Sequence, residues 1–307
     1  MASPAIEGQA VRVRVAGKIN LTLRSGPRRA DGYHSLATVF QAVSLFDEIE
    51  ATPAEPGQFS VTVHGDQANL VPDGPDNLAV RAAQMLAEQA GHHGAGVNLV
   101  IRKSIPVTGG MAGGSADAAG ALLACSVLWD LDITPDELRV FGAQLGADVP
   151  FCLAGGTALG TDRGDRLVPV LSRGSYHWVL AFSDRGLSTP AVFTKFDELG
   201  CGGSELEPPQ DLLNALVSGD PVALGKALAN DLSEAALALR PDLTRVIETG
   251  TELGAIGSVI SGSGPTVAFL AANESAAVDL SVALSGSGVC HGVRRVTGPV
   301  PGARLLG

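Results

Sequence analysis

No stretch of the chain approaches the roughly 18 uncharged apolar residues of a membrane-spanning helix, and its start carries no basic segment followed by an apolar core of the secretory kind. Both absences predict a protein that is neither exported nor embedded in a membrane. Cysteine is sparse: Cys125, Cys152, Cys201 and Cys290 stand far apart without a C-x-x-C pair, which predicts a reducing, cytoplasmic compartment. Basic residues are in deficit, 21 against 32 acidic for a net charge of −11, and no run of Lys or Arg is long enough to follow a nucleic-acid duplex. Nucleic acid is therefore not expected as a partner. An anionic small molecule would have to be met locally, by backbone N–H groups and a few placed cations.

Several catalytic signatures are missing as well. Neither Gly17-Lys18 nor Gly225-Lys226 has the upstream glycine and following hydroxyl of a P-loop, and G-x-G-x-x-G, G-x-S-x-G, H-E-x-x-H and H-R-D are all absent. This disfavours P-loop NTPases, Rossmann dehydrogenases, α/β-hydrolases, zincins and protein kinases. His64, His92, His93, His177 and His291 are scattered and predict no resident metal site.

What is present is enough apolar content, 45 % over 307 residues, for two domains. Residues 1–9 read as a disordered leader, 10–165 as a first domain and 166–307 as a second, beginning after a change of composition at 162–166. Alternation from Val11 predicts a half-buried strand running toward Gly17-Lys18, and 59–63 repeats it. Asp76-Asn77 caps a helix over 78–90, and 97–101 is a further strand. A helix is expected over 116–128, and another from the capping box at Thr134-Pro135-Asp136-Glu137 to Gly146. Asp148 then falls on a turn before the apolar run 151–159. A strand over 177–182, an exposed Gly/Pro-rich loop over 200–209, helices to Leu253, a strand–turn–strand over 258–270, a helix over 274–284 and a strand over 289–296 complete the chain.

The segment Pro106, Val107, Thr108, Gly109, Gly110, Met111, Ala112, Gly113, Gly114, Ser115 joins a strand to a helix. Glycines let successive N–H groups converge, and a helix N-terminus adds roughly half a positive charge, so the segment is a candidate cradle for a phosphate chain. Close packing alone also selects glycine at such turns, and on these residues both readings stand. Phosphoryl transfer would further need a group to orient or deprotonate an acceptor hydroxyl, and a cation to offset developing charge. Lys18, between apolar neighbours, and Asp148 are the candidates; a snorkelling lysine and an ordinary turn aspartate are the alternative.

Three segments in order, Ala16-Gly-Lys-Ile-Asn-Leu-Thr-Leu23, Pro106 to Asp117 and Ser261-Gly-Ser-Gly-Pro-Thr266, resemble the three motifs of the galactokinase, homoserine kinase, mevalonate kinase and phosphomevalonate kinase superfamily. Arg29-Ala-Asp-Gly-Tyr-His34, Leu145-Gly-Ala-Asp-Val-Pro150 and Ser188-Thr-Pro-Ala-Val-Phe193 resemble one branch of it. That branch phosphorylates the 2-hydroxyl of a cytidylyl diphosphate ester of 2-C-methyl-D-erythritol, in the non-mevalonate route to isoprenoid precursors. The resemblance runs from about Val11 to Val296.

It implies an α+β fold of two domains, a ribosomal protein S5 domain 2-like ATP-binding unit and a ferredoxin-like C-terminal unit with the substrate cleft between them. It implies Lys18 and Asp148 as the catalytic pair and residues 106–115 with Ala116 as the ATP loop, with Asn77 and Lys103 near the adenine. Asn20 would assist at the methylerythritol end, Tyr33, His34 and Phe193 would hold the cytidine, and Gly262, Ser263 and Gly264 would approach the acceptor. ATP with Mg²⁺, bound as MgATP, is the implied cofactor, and a monomer or weak homodimer the implied state. The chain departs from the usual pattern at Gly17, Thr108 and Ala116, the last replacing a hydroxyl residue.

Overall fold

The computed structural model describes residues 10–203 and 206–307. The expected leader at 1–9, and two residues of the Gly/Pro-rich loop, lie outside them. The first strand, β1 (Val11–Arg28), begins with the anticipated alternation, Val13 and Val15 buried between exposed Arg12 and Arg14. From Val15 to Leu23 every residue is buried, because both faces of the strand become covered. Lys18 and Asn20 therefore lie in the interior of the molecule.

The largest departure from the sequence reading is β2 (His34–Pro53), a 20-residue strand antiparallel to β1. Its central residues are buried on both faces, so they carry no period of two. β2 also holds the sheet together: residues 36–41 pair with β5 (Thr157–Asp162), and residues 48–53 pair with β4 (Val97–Lys103). β3 (Phe59–Gly65) joins β4 in parallel. β6 (Arg166–Pro169) pairs with β5, so this sheet continues past residue 165, and β8 (Ala229–Asn230) and β12 (Arg304–Leu305) return to β1.

Four helices accompany this sheet. α1 (Leu78–Gln89) is capped by Asn77, whose side chain accepts the Ala79 N–H at 2.9 Å. α2 (Gly113–Leu128) starts three residues earlier than expected, which places Gly113, Gly114 and Ser115 in its first turn. α3 (Pro135–Leu145) opens on the predicted capping box and ends at Gly146. The apolar run that follows is the short helix α4 (Val149–Ala154) and then β5.

The second sheet is antiparallel, in the order β11 (Gly292–Gly298), β7 (Tyr176–Phe182), β10 (Val267–Ala271), β9 (Gly257–Ile260). It follows the predicted strands and the predicted helix α10 (Glu274–Ser287). Of the helices between the sheets' segments, α5 (Thr189–Glu198) lines the site, α8 (Ser233–Leu239) packs against α5, and α9 (Asp242–Glu252) lies against β9 and β10. α6 (Gln210–Ser218) and α7 (Pro221–Ala227) fill in beside β9.

The two sheets are not independent. Ile19, Leu21, Leu86 and Leu122 from the first part of the chain share one apolar cluster with Trp178, Leu180 and Leu270 of the second sheet. Each fully buried side chain of this kind contributes about 1.5–3 kcal/mol. Trp178 also donates its indole N–H to Gln41 of β2 at 3.0 Å. The result is the α+β architecture expected, with two sheets joined by a common core.

Candidate active site

A cleft of about 850 Å³ opens where β1, the 106–115 segment, the turn into α4, α5 and the β9–β10 turn converge. Lys18 and Asn20 share one face of β1, two residues apart. Register shifts between Ala16 and Gly17 and between Asn20 and Thr22 bracket them, and such bulges re-aim side chains. Lys18 Nζ donates to Asn20 Oδ1 at 2.7 Å and to the Gly110 carbonyl at 2.9 Å, while Asn20 Nδ2 donates to Thr38 Oγ1 at 2.7 Å. Thr38 Oγ1 in turn donates a hydrogen bond to the Thr22 carbonyl at 2.7 Å, which leaves Asn20 locked. An ammonium has three donors, so one on Lys18 remains.

Across the cleft is Asp148, its Oδ2 3.9 Å from Lys18 Nζ. Asp148 precedes α4 at the N-cap position, yet its side chain makes no capping bond. The lysine side chain is 5 % exposed and the aspartate 32 %, so the pair has one anchored partner and one that faces solvent. At 3.9 Å the two are too far apart for a hydrogen bond and close enough to hold an oxygen between them.

The loop is built for convergence. Thr108, Gly110 and Ala112 all have positive φ, at 51°, 76° and 61°, and alternate with residues of the ordinary hand. Alternation of this kind turns successive N–H groups toward one point. Two of the three are not glycine, which is backbone strain of the sort concentrated at functional sites. Gly110 admits no side chain, since a Cβ would run into the Ser261 carbonyl. The N–H groups of Gly113, Gly114 and Ser115 have no intrahelical partner, and no side chain caps α2. They line the cleft with Pro106, Thr108, Gly109 and Gly110.

Three loop positions differ from expectation. Met111 and Ala116 are fully buried in the core, and Val107 faces away, its N–H donating to Gln67 Oε1 at 2.9 Å. Asn77 and Lys103 do not line the cleft either. Asn77 is occupied capping α1 and donating to the Pro72 carbonyl, and the Lys103 ammonium is enclosed by Asp47 and Asp117. Gly262 and Ser263 line the cleft and Gly264 does not. Ser263 shares a 2.8 Å hydrogen bond with Thr189 at the start of α5, and the Ser261 hydroxyl donates to the Gly110 carbonyl at 2.9 Å. Those two bonds tie the β9–β10 turn to the loop and to α5.

At the far end, the His34 ring stacks on Phe193 with centroids 4.7 Å apart and is hydrogen-bonded through Nε2 to Asp197 at 2.8 Å. Phe193 and Asp197 are one helical turn apart on α5, and that spacing was the one signal in the sequence that pointed to Asp197. Tyr33 is 57 % exposed, with the Arg163 guanidinium over its ring, 5.7 Å from the centroid. Arg28 and Arg163 also line this end and carried no sequence signal. Cys152 follows Asp148 closely but is buried in α4, and burial pushes its thiol, like that of Cys125, well above the ordinary cysteine value.

The description "GHMP kinases N terminal domain" matches residues 77–156, and "GHMP kinases C terminal" matches residues 212–290. A 4-diphosphocytidyl-2-C-methyl-D-erythritol kinase of Rhodococcus jostii is 52 % identical over 96 % of this chain and 95 % of its own. One of Mycobacterium tuberculosis is 50 % identical over 96 % and 93 %. Among solved structures, a 4-(cytidine 5'-diphospho)-2C-methyl-D-erythritol kinase superposes with a TM-score of 0.76 at 33 % identity, covering 96 % of this chain and 99 % of that one. A homoserine kinase from Cytophaga hutchinsonii has a TM-score of 0.72 at 16 % identity over the full length of both chains, a likeness of fold. The chain belongs to the GHMP kinases and, among them, to the 4-diphosphocytidyl-2-C-methyl-D-erythritol kinases.

Proposed function

We propose that this chain transfers the terminal phosphoryl group of ATP to the 2-hydroxyl of 4-diphosphocytidyl-2-C-methyl-D-erythritol, a step of non-mevalonate isoprenoid precursor synthesis. The observation that supports it most is the Lys18–Asp148 pair, 3.9 Å apart, opposite the uncapped N-terminus of α2 in one cleft. An acceptor hydroxyl fits between the two. Lys18, anchored on Asn20 and Gly110, polarises that oxygen from the side opposite the Asp148 carboxylate. Asp148 orients the hydroxyl and takes its proton. The N–H groups of Gly109, Gly110, Gly113, Gly114 and Ser115 hold the polyphosphate, so charge developing in transfer meets donors already in place. Transfer is direct and in line, without a phosphoenzyme.

Mg²⁺ fits this site as a companion of ATP rather than as a resident ion. No group of three or more His, Cys, Asp or Glu among the described residues is arranged to hold a metal. Ala116 offers no ligand atom, and the Ser115 hydroxyl and Asp148 carboxylate are the oxygens in the cleft that could reach it. When bound it would draw charge from the polyphosphate.

Tyr33, His34 and Phe193 form the cytidine end. His34 forms the wall of this end, its Nε2 held by Asp197 and its face backed by Phe193, while Tyr33 has an open face for the pyrimidine. We extend the proposal to a division into two units after β6 rather than before it, and to a cytoplasmic monomer or weak homodimer. The four free cysteines support the compartment. No helix among the described residues is long and apolar enough to cross a membrane.

The test is ADP release with MgATP and three acceptors: the cytidylyl substrate, mevalonate and homoserine. Turnover on the first alone is expected. Turnover on another acceptor would keep the kinase and discard the substrate.

A further inference from the structure

The turn between β5 and β6 has no part in the roles assigned above, yet its Arg163 lines the cleft beside Tyr33. Two turns meet there. Tyr33 stands on the β1–β2 turn, where its N–H donates to Asp31 Oδ1 at 3.0 Å. Arg29 of the same turn pairs with Asp31 Oδ2 at 2.9 Å through one nitrogen, and through the other it donates to Asp162 Oδ1, at the end of β5, at 2.6 Å. The chain then runs from Asp162 into Arg163, whose Nη2 donates to Asp165 Oδ2 at 2.9 Å. The guanidinium so held lies over the Tyr33 ring, 5.7 Å from its centroid. Arg29 thus ties the two turns together, and Arg163 and Tyr33 face each other across the join.

We propose that Arg163 is a positioning residue for Tyr33: its guanidinium covers one face of the ring and holds the other for the pyrimidine, so that guanidinium, phenol and base form a three-layer stack. The proposal rests on the reading of Tyr33 as part of the cytidine end.

Exposed ion pairs stabilise a fold little, so what this set contributes is geometry. A cation within about 6 Å of an aromatic centroid is attracted to the ring face, and a planar, weakly hydrated guanidinium suits that place better than an ammonium. Tyr33 is largely exposed on a turn, and an aromatic side chain in that position must otherwise be ordered whenever a ligand arrives, at a cost to affinity. A ring already held against Arg163 is spared that cost. The Arg163 charge is balanced by Asp165, whose side chain is mostly buried, which suits the guanidinium to backing the ring rather than to meeting the anionic part of the substrate. The effect falls on acceptor binding and not on the chemical step, since Lys18 and Asp148 belong to the other end of the cleft.

The experiment is a double-mutant cycle in steady-state kinetics at saturating MgATP: wild type, Arg163→Ala, Tyr33→Ala and the double variant, with Arg163→Lys beside them, each against the cytidylyl substrate. Arg163 is exposed, so its replacement leaves the core intact. Arg163→Ala is expected to raise KM about two- to fivefold, the size of an exposed cation–π contact, with kcat held. In the Tyr33→Ala background the same change should leave KM where it stands, because no ring remains to be positioned. Arg163→Lys keeps a cation and is expected to lie closer to wild type than Arg163→Ala. A KM raised by Tyr33→Ala and unmoved by Arg163→Ala overturns the proposal and leaves the cytidine end standing. An equal rise in both backgrounds overturns it as well, since the guanidinium would then meet the substrate itself. An unmoved KM in Tyr33→Ala instead overturns the reading of the cytidine end and this proposal with it.

Discussion

The two ends of the cleft are made differently. Around Lys18 the side chains are locked: Lys18, Asn20 and Thr38 are buried on two paired strands and satisfy one another through bonds of 2.7 to 2.9 Å. Around Tyr33 they stand on the β1–β2 turn, the β5–β6 turn and α5, and Tyr33 itself is largely exposed. A reaction that must place an oxygen to within a fraction of an ångström is served by the first arrangement. Recognition of a flat base that enters from solvent is served by the second. On the proposed function turnover belongs to one end and substrate affinity to the other, and substitutions can separate the two.

The largest effect should come from the locked end. Asp148→Ala is expected to lower kcat by more than about 10²-fold, the lower end of what a single acid/base group contributes, with ATP affinity kept. Full activity in single-turnover assays would remove Asp148 from its role. Gly110→Ala strikes the joint between the ends. Its carbonyl accepts from Lys18 and Ser261, its φ is +76°, and a methyl group there meets the Ser261 backbone. Displacement of the loop is expected to cost on the order of tenfold in kcat/KM for ATP, and a steady-state comparison with Gly286→Ala, where a Cβ has open space away from the cleft, checks it. The smallest effect belongs to the open end. Tyr33→Ala should raise KM for the cytidylyl substrate by at least about fivefold, the lower bound of a lost stacking contact, with kcat unchanged. An unmoved KM would show that Tyr33 does not meet the base.

Short-range features were legible because short-range physics makes them. The capping box at Thr134 and the Asn77 cap depend on neighbours within four residues, the strand–turn–strand at 257–271 on strands that a short turn brings together, and each was found where expected. The loop was legible as a glycine-rich strand-to-helix turn, but its length was not. Gly113, Gly114 and Ser115 belong to the helix, whose first residue packs over Lys103, ten residues before it in the chain, a neighbour that no local pattern announces. β2 escaped for a related reason: covered on both faces, it has no alternation to read.

The sequence by itself singled out the candidate residues, because Lys18, Asn20, Asp148 and the glycines lie within short motifs that resemble those of a kinase superfamily. Tertiary structure alone decided which of them meet. Lys18 and Asp148 are separated by most of the first half of the chain, and Asp47, Lys103 and Asp117 come from three elements. A buried charge is tolerable only beside its counter-charge. That pairing exists only after β2, β4 and α2 have packed together.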